Sequence, residues 1–201
     1  FKSRLAGGGA RPNLFEVTIP SFPSSISEAW GSGDQAQSGT FKFMCKAAAM
    51  PASNVAAVPI PFRGRSLKVA GDRTFDPWTI TIINDEDFSM RTAFEQWMNV
   101  ISKLDDATGV TNPSSYMCDA YVQQLGRGAE MNSTTNEGGQ SSVLRTYKFY
   151  DMVPTTMSEI TLSYEDTDTI EQFDVTFEYQ YYTVGNSLQS TGGNSDEVLI
   201  E

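Results

Sequence analysis

Residues 169–184 alternate apolar and polar side chains, and this pattern constrains the fold more than any other feature of the sequence. Successive side chains of a β-strand point to opposite faces, so a period of two predicts a long strand with one buried face. Shorter alternations at 13–20, 40–47, 78–82, 115–125, 143–156 and 158–166 predict further strands. The chain is therefore expected to be mainly β. The apolar positions of the long pattern are Phe173, Val175, Phe177, Tyr179 and Tyr181, and the polar positions are Asp174, Thr176, Glu178 and Gln180.

One segment has helical rather than strand periodicity. Its apolar residues recur every three to four positions, which predicts an amphipathic helix over 86–104. Asn84 or Asp85 is expected to be the N-cap, with Glu86 and Asp87 in the first turn, where the helix dipole favours acidic groups. The apolar residues of this helix are Met90, Phe94, Trp97, Met98, Ile101 and Leu104.

The remaining segments are read as arms and loops around one domain that spans 1–201. Residues 1–11 predict an N-terminal arm, and 185–201, rich in Ser, Gly and Asn, predict a flexible C-terminal tail. Residues 47–71 contain Pro51, Pro59 and Pro61, which exclude a central strand. The same segment is too apolar for a solvated loop, so it is expected to be an extended arm that lies on another subunit.

Charge is distributed unevenly along the chain. The net charge is −11; residues 1–100 carry ten Lys and Arg against nine Asp and Glu, whereas 101–201 carry four against sixteen. Phosphate binding requires clustered Lys and Arg, so no sequence-independent binding of nucleic acid is expected. No apolar run reaches the roughly 20 residues of a membrane-spanning helix, so no stable membrane insertion is expected.

No convincing catalytic or metal site is found. The chain has no histidine, which excludes His-based triads and His-ligated metals. Cys45 and Cys118 are isolated and are read as buried thiols in a reducing cytosol. Carboxylates at Asp72, Asp76 and 85–87 leave a glycosidase-like acid pair as an alternative, but turn, strand-start and cap positions explain them better. We expect no enzyme activity, no cofactor and no metal.

Three sequence segments resemble those of a known protein family. "ARPNLFEV", "FMCKAAAMPASNVAAVPIPFRGR" and above all "KVAGDRTFDPWTITIINDED" with the later "FEQW" resemble the tail tube proteins of contractile-tailed, T-even-like bacteriophages. The resemblance implies a barrel-like core of two packed antiparallel sheets with one flanking α-helix and an extended arm. It further implies a non-enzymatic virion protein whose hexameric rings stack into the inner tube of a contractile tail, the conduit for DNA ejection.

Two groups of residues are predicted to serve such a tube. The first is an inter-subunit or stacking surface in which basic residues meet acids of a neighbour, Asp72 fixes a turn, and apolar side chains are buried. The second is a set of acids facing the lumen; six subunits at −11 give a ring charge of −66, which would repel DNA in transit. The stacking residues are Arg63, Arg65, Lys68, Asp72, Arg73, Val55, Ile60 and Phe62, and the lumen candidates are Asp119, Asp174 and Glu178.

The implied partners are further copies of the chain, the tail sheath protein, baseplate and neck or terminator proteins, the tape measure protein in the lumen, and genomic DNA bound without sequence specificity. The implied location is the virion, after assembly in the host bacterial cytoplasm. Two alternatives remain open at this point. One is the tube of a DNA-free contractile injection particle; the other is a carbohydrate-binding β-sandwich of a tail fibre, for which Trp30 is the one obvious exposed aromatic.

Overall fold

The computed structural model describes residues 9–20, 22, 41, 44–126, 143–165 and 168–185. Within them, nine β-strands and one fully described α-helix follow one another along the chain. Phe41 and Met44, which lie in the strand predicted at 40–47, are also helical. The strands are β1 (Phe15–Thr18), β2 (Cys45–Ala48), β3 (Asn54–Phe62), β4 (Arg65–Thr74), β5 (Trp78–Ile83), β6 (Cys118–Leu125), β7 (Val143–Met157), β8 (Gln172–Glu178) and β9 (Tyr181–Gly185); the helix α1 is Ser89–Ile101 and follows β5. A short 3-10 turn at Pro113–Ser115 precedes β6.

Seven strands form two antiparallel sheets that share β7. The first half of β7 pairs with β6 and β9, and β6 pairs with β1, which gives the first sheet the order β1-β6-β7-β9. The second half of β7 pairs with β8, and the order continues β7-β8-β5-β2 in the second sheet. The ends of the path, β1 and β2, are not paired in the part of the chain that the structure describes, so the two sheets do not close into a barrel.

β7 can serve both sheets because it bends at Asp151. This residue has φ of 52°, and the β6–β7 register shifts there, between the Cys118–Met152 and Ala120–Phe149 pairs. A bulge of this kind inserts an unpaired residue and increases the local twist of the strand. The Asp119 carboxylate accepts a hydrogen bond from the Asp151 backbone N–H at 3.3 Å and stabilises the bend.

The core lies between the two sheets and under α1. Trp78 of the second sheet stacks on Phe149 of the first, with 4.5 Å between ring centroids. α1 is packed against the inner face of β8, where its Phe94 and Trp97 lie within about 6 Å of the Phe177 ring. The mainly β fold of two packed antiparallel sheets with one helix is confirmed, although the helix contributes to the core rather than only flanking it.

α1 is shorter than predicted and begins differently. It spans Ser89–Ile101, its N-cap is Phe88 at φ 53°, and no side chain caps it. Asn84 is instead buried in the loop before the helix, where its amide donates to the Glu171 carboxylate at 2.9 Å. Leu104 lies beyond the helix and is exposed. Capping preferences predicted the helix start too early, because Asn84 binds Glu171 in the tertiary structure instead of capping the helix.

Two predicted strands are also different in the structure. The pattern at 169–184 is two strands, since β8 ends at Glu178 and β9 begins at Tyr181 in the other sheet. Phe173, Val175 and Phe177 are buried as predicted, but the break exposes Tyr181. The pattern at 158–166 is a loop over its described part, 158–165. Strand alternation cannot reveal whether a neighbouring strand is available to pair, and none of the described residues pairs with this segment.

Several predicted features fall outside the described residues. They are most of the N-terminal arm at 1–11, the loop with Trp30, the polar insertion between 126 and 142, and the C-terminal tail beyond residue 185.

Candidate assembly surface

β3 and β4 form a separate two-stranded hairpin, so the segment predicted as an extended arm at 47–71 is instead largely β. Its two turn residues, Arg63 and Gly64, have φ of 46° and 76°. Positive φ at both positions is typical of a type I′ turn, which matches the twist of antiparallel strands and favours glycine at the second position. Pro59 and Pro61 are compatible with this ribbon because residues two apart both direct their missing N–H away from the partner strand.

The hairpin has one strongly apolar face. Paired residues share a face, so the pairs Val58–Val69, Ile60–Leu67 and Phe62–Arg65 lie on the same side. Phe62 and Leu67 are 66% and 63% exposed, and the other apolar members are about half exposed. We call Val58, Ile60, Phe62, Leu67 and Val69 the apolar face of the hairpin. A contiguous exposed apolar surface of this kind marks an interaction site.

The structure brings only some of the predicted stacking residues together. Arg63 and Arg65 lie at the tip, and the Arg63 guanidinium is 5.4 Å from the centre of the Phe62 ring. Lys68 pairs with Pro59, and Arg73 pairs with Val55, which places these three predicted residues on the face opposite Ile60 and Phe62.

Asp72 does not fix a turn. It lies in β4, where Gly71 and Asp72 oppose the single residue Ala56 and form a bulge. The predicted role is corrected accordingly: the chain reverses at Arg63 and Gly64, nine residues away, because only there do both residues adopt positive φ.

The base of the hairpin is fixed to the second sheet. The Asn54 amide donates a hydrogen bond to the Asp76 carboxylate, which ties the first residue of β3 to the segment that leads into β5. Trp78, the first residue of β5, donates its indole N–H to the Ala49 carbonyl at 2.7 Å, before β3 begins. The hairpin is therefore held at its root while both of its strands remain exposed.

Gly71 limits the side chains that the bulge tolerates. A Cβ at this position would lie 2.9 Å from Val58 Cγ2 and 3.1 Å from the Ala56 carbonyl oxygen. We expect Gly71→Val to distort the hairpin and to lower polymerisation by about tenfold, equivalent to about 1.4 kcal/mol, with little change in the melting temperature of the subunit. Sedimentation of polymer and circular dichroism of the subunit measure the two effects.

Ala70→Val is the matched control for Gly71→Val. Ala70 is exposed and pairs with Ala57 in regular register, so the added methyl groups meet solvent. Equal polymerisation by the two variants would contradict a role for the bulge.

The three candidate lumen acids occupy two different surfaces. Asp174 projects from the outer face of the second sheet, where it accepts a hydrogen bond from the Thr81 hydroxyl at 2.7 Å. Glu178, four residues later on β8, lies on the same exposed face. Thr79 and Thr176 add a hydroxyl pair at 3.0 Å between these acids. Two half-buried apolar residues lie on the same face beside this polar group, Ile83 opposite Gln172 and Val153 opposite Glu178.

Asp119 belongs to the outer face of the first sheet and is paired with a cation. Its carboxylate lies 3.4 Å from Lys148 Nζ, which itself is 4.1 Å from the centre of the Tyr150 ring. Burial opposes the charged form of Lys148, but the hydrogen bond to Tyr150 and the nearby negative groups, Asp119 among them, raise its pKa overall. Asp119 is thus part of a charge pair rather than an unpaired acid.

The loop between β7 and β8 carries exposed apolar side chains that its sequence did not reveal. Leu162 is 78% exposed, Tyr164 is fully exposed and Ile170 is 74% exposed, and all three border an open cleft of about 610 Å³. The spacing of two between Leu162 and Tyr164 had indicated a strand. The one signal available in the sequence was that acidic residues surround them without any Lys or Arg.

The alternative catalytic acids do not converge on a site. Asp76 binds Asn54, and Asp85 accepts a hydrogen bond from the Glu86 backbone N–H at 2.9 Å in a loop. The described residues contain no cluster of three Cys, Asp or Glu that could hold a metal ion. Cys118 is buried as predicted, whereas Cys45 is only partly buried. Burial raises the pKa of the Cys45 thiol to about 12. Among the described helices, none has the length and apolarity to cross a bilayer.

Solved structures of contractile injection systems share this fold. A chain in the cryo-EM structure of the anti-feeding prophage baseplate matches with a TM-score of 0.57 and 10% identity, covering 89% of this chain and 96% of that chain. A chain in the sheath-tube complex of an extracellular contractile injection system, in its extended state, matches with a TM-score of 0.55 and 12% identity, covering 92% and 98%. The fold is therefore that of contractile-injection-system proteins.

Sequence comparison defines the family. The family described as "Phage tail tube protein" matches residues 10–185, and the chain belongs to it. It is 32% identical over 177 residues to the tail tube protein of Enterobacteria phage T4, covering 88% of this chain and 93% of the relative. The tail tube protein of Serratia phage KSP90 is 25% identical over 184 residues, covering 89% and 92%. The predicted resemblance to T-even-like tail tube proteins is confirmed.

Proposed function

We propose that this chain is the structural subunit of the inner tube of a contractile phage tail, in which six copies form a ring and rings stack head to tail. The single observation that carries the proposal is the exposed hairpin of β3 and β4, whose apolar face is suited to burial against another copy. Family membership supports the same role, since the T4 relative is a tail tube protein. A stacking contact joins two different surfaces of the subunit, which is a heterologous contact that propagates without closing.

The partners follow from that role. We propose that the tail sheath surrounds the tube, that baseplate and neck or terminator proteins bind its two ends, and that the tape measure protein and later the genomic DNA occupy its lumen. The subunit acts by assembly and not by catalysis, binds no cofactor, is assembled in the host cytoplasm and is found in the virion tail. The charge of −11 supports a conduit that repels DNA and so lets it slide.

We further propose that the polar face of the second sheet, with Asp174 and Glu178, lines the lumen. Most of its side chains are carboxylates and hydroxyls that hold water, with Ile83 and Val153 as its apolar members. Lys46 on β2 donates to the Gln172 amide oxygen at 2.6 Å. Asp119 is a weaker candidate, because Lys148 neutralises it.

Replacing both proposed lumen acids with lysine tests this assignment. We expect Asp174→Lys with Glu178→Lys to form tubes but to convert a repelling wall into one that retains DNA, since twelve new cations per ring of six would contact phosphates. DNA retained by the tubes should rise at least tenfold and fall steeply as salt is added. Retention can be measured with a labelled oligonucleotide in a pull-down of sedimented tubes.

Asp105→Lys with Asp106→Lys is the matched control for charge, because both residues lie in the exposed loop after α1. If the control retained as much DNA as the β8 variant, this face would not be the lumen wall.

Electron microscopy of the purified protein tests the function as a whole. Rings or hollow tubes of uniform diameter support it. A protein that stays monomeric at high concentration, and that is absent from the tube of its parent virion, contradicts it.

A further inference from the structure

The loop between β7 and β8 is an acidic and apolar surface that the core does not use. Residues 159–171 contain five acidic residues and no Lys or Arg. Leu162, Tyr164 and Ile170 are largely exposed and border the open cleft. We call the described residues of this loop, 159–165 and 168–171, the acceptor loop.

Both ends of the acceptor loop are anchored. At its start, the Ser158 backbone N–H donates to the Asp174 carbonyl at 2.8 Å, and the Arg91 guanidinium donates to the Ser158 carbonyl. At its end, the Asn84 backbone N–H donates to the Glu171 carbonyl at 2.9 Å. The core therefore positions both ends of the loop, and Ile160 packs against the core while Leu162, Tyr164 and Ile170 are exposed.

The hairpin and the acceptor loop lie at opposite ends of the second sheet. The β5–β8 register places Trp78 beside Phe177 at one end and Ile83 beside Gln172 at the other. The hairpin joins the Trp78 end, and the acceptor loop joins the Gln172 end. Six strand residues at about 3.3 Å each separate the two ends by about 20 Å. A contact that repeats along an axis requires two different surfaces at opposite ends of the subunit, and the hairpin and the acceptor loop meet this requirement.

The two surfaces are complementary in chemistry. The hairpin at 54–74 carries four Lys and Arg and one Asp, against the four acids of the acceptor loop. At its tip, Arg63 and Arg65 flank Phe62, as Glu159 and Glu165 flank Leu162 and Tyr164 in the acceptor loop. Each surface thus offers exposed apolar side chains bordered by charged residues. The bordering charges are positive on the hairpin and negative on the acceptor loop.

We infer that the acceptor loop of one copy receives the hairpin tip of the next copy along the tube. The apolar face around Phe62 packs over Leu162, Tyr164 and Ile170, while the tip arginines pair with acids of the loop. This inference rests on the proposed tube function and adds the identity of the surface that the hairpin binds.

Disulfide cross-linking tests the contact in assembled particles. The test variant combines Phe62→Cys with Leu162→Cys, and the control combines Phe62→Cys with Leu104→Cys. Leu104 is 97% exposed but lies past the far end of α1, about 20 Å from the helix start near the acceptor loop. The single variants Phe62→Cys and Leu162→Cys retain the native thiols of Cys45 and Cys118 and therefore report any cross-linking that these thiols contribute.

Because each copy carries both cysteines, a head-to-tail contact links copies without limit. Mild oxidation should yield a ladder of covalent multimers on a non-reducing gel, with at least ten times the cross-linked fraction of the control. Tubes that give no ladder, or only dimers, overturn the inference and leave the tube function intact. Failure of the unmodified protein to form any ring or tube instead overturns the proposed function.

If the cysteine variants do not assemble, exchanging the charges of the two surfaces tests the same contact. Glu159→Lys with Glu165→Lys should abolish polymerisation. Combining these changes with Arg63→Glu and Arg65→Glu should raise the polymerised fraction at least tenfold above that of either double variant. Absence of rescue, with all variants folded as judged by circular dichroism, contradicts the pairing.

Discussion

Reversing the charge of both tip arginines, Arg63→Glu with Arg65→Glu, is expected to abolish polymerisation while the subunit stays folded. Both side chains are exposed, so the free energy of unfolding should change by less than about 0.5 kcal/mol. In an assembled contact, each reversal would place like charges against each other in a partly dehydrated interface, which costs several kcal/mol. The critical concentration for assembly should rise by about 100-fold or more, equivalent to about 2.7 kcal/mol.

Light scattering against protein concentration measures that critical concentration. Arg11→Glu with Lys103→Glu is the matched control, since it makes the same change in net charge at two exposed positions remote from the hairpin in sequence. The control should assemble normally. Normal tubes from the Arg63 and Arg65 variant would refute the contact, and loss of assembly in both variants would show that only net charge matters.

Trp97→Ala is expected to destabilise the subunit itself. The Trp97 side chain is fully buried, stacks near Phe94 and Phe177, and donates its indole N–H to the Tyr116 carbonyl at 2.6 Å. Truncation removes this packing and leaves a cavity between α1 and the second sheet, at a cost of about 3–5 kcal/mol. For a chain of this length, the melting temperature should fall by about 10 °C. Thermal and urea unfolding followed by circular dichroism measure the change.

Trp97→Phe separates packing from hydrogen bonding. It keeps an aromatic ring against Phe177 but leaves the Tyr116 carbonyl without its donor, which costs about 1–3 kcal/mol. It should therefore be less destabilising than Trp97→Ala. If both variants unfolded like the unmodified protein, the helix would not contribute to the core as the structure indicates.

These two predictions distinguish two kinds of surface on one chain. Core aromatics such as Trp97 determine whether the subunit folds, whereas the hairpin tip is dispensable for folding. An exposed apolar face is unfavourable in water, because nothing in the subunit removes it from solvent. The burial proposed for it in the assembly would account for its presence beside a well-packed core.

Much of the β architecture could be predicted from side-chain patterns. Alternation identified β1, β5, β6, β7 and β8, because strand residues that face a core must be apolar at every second position. Helical spacing located α1 and three of its buried residues, Met90, Phe94 and Trp97. These features depend on which side chains avoid water, and each sequence segment encodes that locally.

Other features depend on contacts between distant segments. Asn84 has the chemistry of an N-cap, but Glu171, 87 residues away in the chain, binds it instead. The pattern at 158–166 looks like a strand, but no strand in the part of the chain that the structure describes pairs with it. The prolines of β3 suggested an arm, yet a ribbon with two free edges accommodates them because only one side of each strand is paired.

The sequence by itself determined the family, the predominance of β-structure, the helix and the acidic character of the chain, because these follow from residue identity and local periodicity. Only the tertiary structure decided that the basic segment is a hairpin, that its apolar residues share one face with Arg65, and that an acidic loop lies at the opposite end of the same sheet. Strand register and chain reversal set those positions, and both arise from pairing between residues far apart in the chain.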